Sequence, residues 1–322
     1  ANGMGDGIPL NDSVLTANIS NINNLSVNNL SISDLTGIQD FTALTSLSCQ
    51  WNSLSNLDLS QNVLLTHLDC HQNQISFLDI TQNIALSSLN ISANQLQSID
   101  VSQNLALINL VFEFNQVDSL DISQNILLTE LNCRYNQIPS LDVTQNTSLS
   151  ILRCHDNQIP FIDLTQNLLL ILLDCGSNLL SNLDVSQNAV LEYLNCNSNS
   201  LQSLDLSQNI ALTTLEFSGN QMLSIDLTQN SALIDLSCAF NQLTILDITQ
   251  NINLTGLNCN NNQLISLDVS NGNNFNFTYF NSNYNPNLTC INVDDSTYSS
   301  NNWINIDPQS YFSNNCSAIY GC

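Results

Sequence analysis

A leucine returns every 21 residues in this chain: Leu44, Leu65, Leu86, Leu107, Leu128, Leu149, Leu170, Leu191, Leu212, Leu233 and Leu254, with no gap or insertion between them. A fixed period of this length commits a chain to stacking one short coil on the next, because no single coil can bury its apolar side alone. The unit from Leu128 to Ser148 shows the whole pattern, opening Leu-x-x-Leu-x-Cys-x-x-Asn-x-Ile and closing Leu-Asp-Val-Thr-Gln-Asn. Its first half alternates inward apolar residues with outward variable ones, the pattern of a strand with one buried face. The Asn after each strand, from Asn52 to Asn262, sits where the chain turns inward, and its amide can satisfy backbone groups of adjacent coils. The second half alternates again, over a shorter span. A coil of 21 residues leaves little room for a helix, so a short strand or tight turn is expected there. The predicted fold is a mainly β repeat solenoid carrying a parallel sheet on one side.

The opening Leu-x-x-Leu-x-(Leu/Cys)-x-x-Asn-x-(Leu/Ile) resembles the leucine-rich repeat family from Leu44 to about Asn271. The resemblance implies a horseshoe of 21-residue coils, with the parallel sheet on its concave side and short strands or turns on its convex side. It divides the chain into eleven repeats over 44–274, an N-terminal cap remnant with an irregular first coil over 1–43, and a C-terminal cap over 275–322. The stretch from Ile32 to Leu44 resembles the first repeats of internalin-type bacterial surface proteins, which a small helical cap usually precedes. No helix-length amphipathic pattern stands before Ile22, so that cap is expected to be either absent or truncated, with truncation the favoured reading. The tail from Cys290 through Trp303 to Cys316 resembles the capping segment of secreted flavobacterial repeat proteins. That likeness implies a Cys290–Cys316 disulfide, stabilising by roughly 3 kcal/mol in the chain-entropy picture, and a Trp303 that covers the last coil. The pairing of Cys322 stays open. Keeping the 21-residue phase past Asn271 puts Phe275 in the leading-leucine position and Phe280 in the column of the cysteines.

Charge narrows the partners. A formal net charge of −25, from 2 basic and 27 acidic residues, repels nucleic acid and anionic membrane surfaces. No run of about 18 apolar residues occurs, so membrane insertion is not expected. The start, Ala1-Asn-Gly-Met, carries neither a basic region nor an apolar core, so any export leader has been removed. Eight cysteines (Cys49, Cys70, Cys133, Cys154, Cys175, Cys196, Cys238 and Cys259) share one inward column, where Ile91, Phe112 and Phe217 substitute. A column that accepts Ile and Phe is a core column, so these are read as buried thiols and not as redox or metal groups.

Three surfaces remain for chemistry. An aspartate column (Asp58, Asp79, Asp100 and onward to Asp268) would place carboxylates about 4.8 Å apart. Such neighbours must bind cations, protonate, or be tied to local donors such as the Ser/Thr two positions on; possible divalent cations follow from the first option. The Ser/Thr column itself, Ser60 to Ser270, offers an ordered hydroxyl edge for ice or mineral binding. The third surface is the outward side of the long strands, where the repeat imposes nothing. Glu113, Arg134 and His155 fall consecutively in one column there. Phe114 stacks above Tyr135, Arg153 lies beside Asp174, Glu130 is adjacent, and Ile151, Leu172 and Tyr193 form an apolar strip. Aromatic, arginine and apolar side chains rimmed by Asn and Ser have the composition of an interaction hot spot.

His67 and His71 stand too far apart to share a metal without outside ligands. Glu130, His155 and Asp156 are neighbours with no nucleophile motif, Gly-rich loop or deep pocket, so no enzyme is expected. No cofactor is expected either. The sequence reading is therefore a secreted or cell-surface, non-enzymatic, monomeric recognition module that binds a protein or glycan through the concave sheet. The internalin resemblance adds adhesion to that reading. A passive spacer or surface-layer component is the alternative.

Overall fold

The computed structural model describes residues 15–316; the first fourteen residues and Cys322 lie outside the described residues. The chain forms two compact units, divided between Asn157 and Gln158. Each is a parallel β-solenoid.

In the first unit seven three-residue strands, from Asn24–Ser26 to Ile151–Arg153, pair in parallel. Ser46 lies against His67 and Leu47 against Leu68, so the 21-residue period is the register itself. The central leucine of each strand points into the core: Leu47, Leu68, Leu89, Leu110, Leu131 and Leu152 are all at most 2 % exposed. Before the solenoid stands a single helical turn, Thr16–Ile19, whose Ile19 is buried. The sequence pattern shows no helix ahead of Ile22, because one turn is too short to display a 3.6-residue periodicity.

The second unit repeats the design through Leu172–Asp174, Tyr193–Asn195, Thr214–Glu216, Asp235–Ser237, Gly256–Asn258 and Tyr279–Asn281. On its other side the coils are closed by turns. Only near the C-terminus do Ile245–Asp247, Ser266–Asp268, Cys290–Asn292 and Tyr311–Ser313 become a second parallel sheet.

The last long-sheet strand corrects the sequence register. Gly256 pairs with Tyr279 and Leu257 with Phe280, so this coil is 23 residues long. Phe280 therefore takes the strand-centre leucine position and not the cysteine column, where Ser282 stands instead. Phe277 replaces Phe275 as the leading residue, and Phe275 is left exposed against Tyr298, with ring centroids 4.5 Å apart. The two extra residues are absorbed by the short 3-10 turn Asn274–Asn276. Over this end Trp303 stacks on Phe280 at 4.3 Å, and a disulfide joins Cys290 to Cys316.

Two asparagine ladders hold the coils together. In the ladder that follows each strand, Asn115 donates to the carbonyls of Ile91 and Phe112, both at 3.0 Å, and accepts from the Leu96 N–H at 3.0 Å. In the ladder that closes the Gln-Asn pair, Asn104 donates to the carbonyls of Ile80 and Asn83 and is fully buried. An apolar residue at either place would leave buried backbone groups unpaired. The first ladder is legible in the sequence, whereas the second reads there as part of a polar surface edge.

The eight column cysteines are free thiols, each at most 1 % exposed. Burial pushes Cys133 and Cys259 up from 9.0 to about 12, and Cys49 to about 12 with a smaller contribution from the Asp69 charge. At pH 8 the buried thiols of the native protein should therefore stay unmodified by iodoacetamide, with thiolate populations at Cys49, Cys133 and Cys259 about a thousandfold below those of exposed cysteine. Peptide mass mapping after alkylation, with and without denaturant, checks this. Labelling of the eight in native buffer at the denatured rate would contradict the packing.

Candidate functional site

The outward face of the first unit's sheet carries its variable side chains, and the backbone around them is unusual. Three positions past the end of successive strands one residue adopts a left-handed conformation: Trp51 (φ 57°), Gln72 (54°), Ala93 (51°), Phe114 (55°), Tyr135 (52°) and Asp156 (52°). L-residues other than Gly, Asn and Asp pay about 1–2 kcal/mol there. The second unit places Gly219 at the equivalent point, with φ 68°. A repeat that accepts glycine at this point nevertheless carries Phe114 and Tyr135, and their rings are 51 % and 39 % exposed. The two rings lie parallel, 4.2 Å between centroids and 8° between planes. His155 follows at 5.8 Å from Tyr135.

Beside this stack sit both arginines of the chain. Arg134 donates from Nε and a terminal nitrogen to Glu113 Oε2, at 3.1 and 2.8 Å. Asn132 donates to the same oxygen at 3.0 Å. Arg153 reaches diagonally to Glu130 Oε1 at 2.7 Å, and Asn109 donates to Glu130 Oε2 at 3.3 Å. His155 Nε2 meets Asp156 at 2.9 Å. The Arg–Glu side chains are about a quarter exposed, so each pair adds at most about 1 kcal/mol to folding. Their larger effect is local: in a chain of −25 they make this patch close to neutral and hold its side chains in fixed orientations.

Of the predicted residues, Glu113, Phe114, Glu130, Arg134, Tyr135, Ile151, Arg153 and His155 share this face of the first unit; Ile151 lies opposite Glu130. Leu172, Asp174 and Tyr193 belong to the second unit. There Leu172 pairs with Tyr193, and Tyr193 donates to Glu216 at 3.4 Å. Asp174 is buried and accepts from Asn195 at 3.0 Å. Sequence reasoning misses Gly256. A Cβ there would collide with the Asp235 carboxylate, and the missing side chain opens a hollow of about 400 Å³ bordered by Glu216, Asp235 and Tyr279. A lone glycine at an outward strand position was the available signal.

The two edge columns are internally satisfied. Asp58, Asp100 and Asp121 are held below the usual 3.8 first by the backbone N–H of Ser60, Ser102 and Ser123 and then by the serine hydroxyls. For Asp79 the Thr81 hydroxyl leads and its N–H follows. Repulsion between Asp58 and Asp79 is a smaller effect than these bonds. Local donors thus answer the crowding of like charges. The hydroxyls of Thr81, Thr144, Thr165, Thr228 and Thr249 each donate to the aspartate two positions earlier at 2.7 Å. Their protons are spent inside the chain, which weighs against an ice-ordering edge.

Among the described residues no group of three or more His, Cys, Asp or Glu is placed to hold a metal ion, and no helix is long and apolar enough to cross a membrane. His71 Nδ1 lies 2.7 Å from Asp69, and His67 Nδ1 2.9 Å from the Thr66 hydroxyl.

No protein-family model matches the chain, and no curated protein matches it. Solved structures do. The functional domain of InlJ from Listeria monocytogenes, which includes a cysteine ladder, is similar at 33 % identity and TM-score 0.78, over 87 % of this chain and 69 % of that one. A leucine-rich repeat protein of Leptospira interrogans shares the fold at 23 % identity and TM-score 0.69, over 86 % and 74 %. An internalin of Listeria monocytogenes shares it at 23 % identity and TM-score 0.67, over 78 % and 85 %.

Proposed function

We propose, from the premise that this chain belongs to the internalin-type leucine-rich repeat family, that it is an adhesive recognition module of the cell exterior. The fold is that of a non-catalytic, ligand-binding repeat protein. Its finer role, binding a protein or glycan through the outward sheet face of the first unit, is our reading. The observation that carries it is the exposed Phe114–Tyr135 stack, held on left-handed backbone beside two arginine–carboxylate pairs. Neither core packing nor turn chemistry calls for aromatic rings at those positions, since other coils carry Gln72, Ala93, Ser177 or Gly219 on the same left-handed backbone. Flat exposed rings suit both the apolar face of a sugar ring and a peptide side chain, while Asn109, Asn132 and the carboxylates supply directional acceptors and donors. The Cys290–Cys316 disulfide supports an oxidising location. With its net charge of −25 the protein favours basic protein partners, whose binding weakens as salt rises.

The test is a glycan-array and cell-surface binding screen of the parent against an Arg134→Ala, Tyr135→Ala, Arg153→Ala triple variant whose circular dichroism is unchanged. Loss of even one hot spot of about 2 kcal/mol weakens binding about thirtyfold, so the variant should fall at least that far. Equal binding by both would remove the sheet face from consideration, and no binding by either would favour the spacer reading.

A further inference from the structure

The first unit has a second exposed surface that neither the core nor the turn geometry explains. Each coil enters its strand through a tight turn closed by a backbone hydrogen bond: Leu65 N–H to Asn62 at 3.1 Å, Leu86 to Asn83 at 3.0 Å, Leu107 to Asn104 at 3.1 Å and Leu128 to Asn125 at 3.1 Å. The residues at the tips of such turns are usually Gly, Pro, Asn, Asp or Ser. Here Val63, Leu64, Ile84, Leu105, Ile126 and Leu127 occupy the tips, all 45–63 % exposed. The next turn, Asn146 to Leu149, carries Thr147 and Ser148, so the repeat accepts polar tips without difficulty. The aliphatic tips form a row, one rung per coil.

Charge identifies what can cover that row. Segments 61–66, 82–87, 103–108 and 124–129 contain no charged residue, although the chain has 27 acidic ones. A basic partner is drawn to the acidic faces and gains nothing here. For a second copy of this chain, itself at −25, such an uncharged edge is a face where contact brings no like charges directly together. A row with one similar rung per coil is also self-complementary under a twofold axis, the symmetry most homodimers adopt. We propose that the turn edge of the first unit is a self-association surface, on which the aliphatic tips of two copies pack against each other. Six half-exposed aliphatic side chains per copy lie near the low end of stable interface size, so the dimer is weak and concentration-dependent. This surface is independent of the Phe114–Tyr135 face and does not rest on the recognition reading.

Sedimentation velocity over a concentration series, at low and high sodium chloride, tests the proposal. The parent should show a monomer–dimer equilibrium that tightens with salt, because screening relieves repulsion between two chains of −25 while leaving apolar contact intact. An Ile84→Asp, Ile126→Asp variant should bind itself more than about tenfold more weakly. A Thr147→Ile, Ser148→Leu variant lengthens the row and should associate more tightly; it keeps the test valid if the aspartate variant misfolds. A parent that stays monomeric at all concentrations and salts would overturn the proposal, as would variants that associate like the parent. Binding to phosphatidylcholine vesicles that the aspartate variant abolishes, without self-association, would overturn it in favour of a lipid surface.

Discussion

Replacing Asn115 with leucine is expected to lower the stability of the protein by about 3–5 kcal/mol, although the side chain is buried and leucine has similar bulk. The amide's three 3.0 Å bonds go to backbone groups, the Ile91 and Phe112 carbonyls and the Leu96 N–H, and a longer one of 3.4 Å reaches the Glu113 carbonyl. All three would lose their partner in an interior where water does not replace it, at about 1–3 kcal/mol each, offset in part by the apolar gain of leucine. The damage should stay local, because a solenoid is held by nearest-neighbour interfaces and Asn115 joins only adjacent coils. Urea denaturation followed by circular dichroism gives the loss, and hydrogen exchange shows whether the coils on either side open first. A change below about 1 kcal/mol would mean that the ladder merely accompanies the stacking.

Trp303→Ala should cost a similar amount, about 3–5 kcal/mol, for a different reason. Trp303 is 6 % exposed and lies on Phe280 at 4.3 Å, with Phe277 at 5.1 Å and Phe312 at 5.6 Å. It closes the apolar end that any stack of coils must present somewhere. Removing the indole leaves a cavity bounded by three phenylalanines, which the disulfide between Cys290 and Cys316 prevents from collapsing freely. Exchange protection should drop first at Tyr279–Asn281 and Tyr311–Ser313, with the first unit unchanged. Uniform loss of protection along the chain would show that the cap is not a separate closing element. Trp303→Phe, which keeps a ring in the stack, should restore most of the difference.

Much of this architecture is legible in the residues alone. The period of 21 is the strand register through most of both units. The column of cysteines with Ile91, Phe112 and Phe217 is core. The asparagine after each strand bonds the backbone of adjacent coils. Each aspartate is tied to the hydroxyl residue two positions on. The stacking of Phe114 on Tyr135 follows from the same counting, since residues 21 apart must be neighbours in adjacent coils. These features share one cause. Repetition makes spatial neighbours out of positions at a constant separation, so a linear pattern carries three-dimensional information directly.

What the period does not contain is anything that departs from it. The diagonal reach of Arg153 to Glu130 depends on side-chain length and rotamer, which a count of columns does not set. Phe280 and Phe277 move two positions because the last coil absorbs two residues in a 3-10 turn, and only the packed end shows where those residues are taken up. The second asparagine ladder is buried because the chain folds back over it, which an exposed-looking Ser/Thr-Gln-Asn sequence conceals. The left-handed backbone under Phe114 and Tyr135 is equally invisible, since aromatic residues do not announce such a conformation. The sequence by itself determined the solenoid, its core columns and the face on which variation is free. Side-chain reach and turn closure in three dimensions decided which of the variable residues meet, which are strained and which stay exposed.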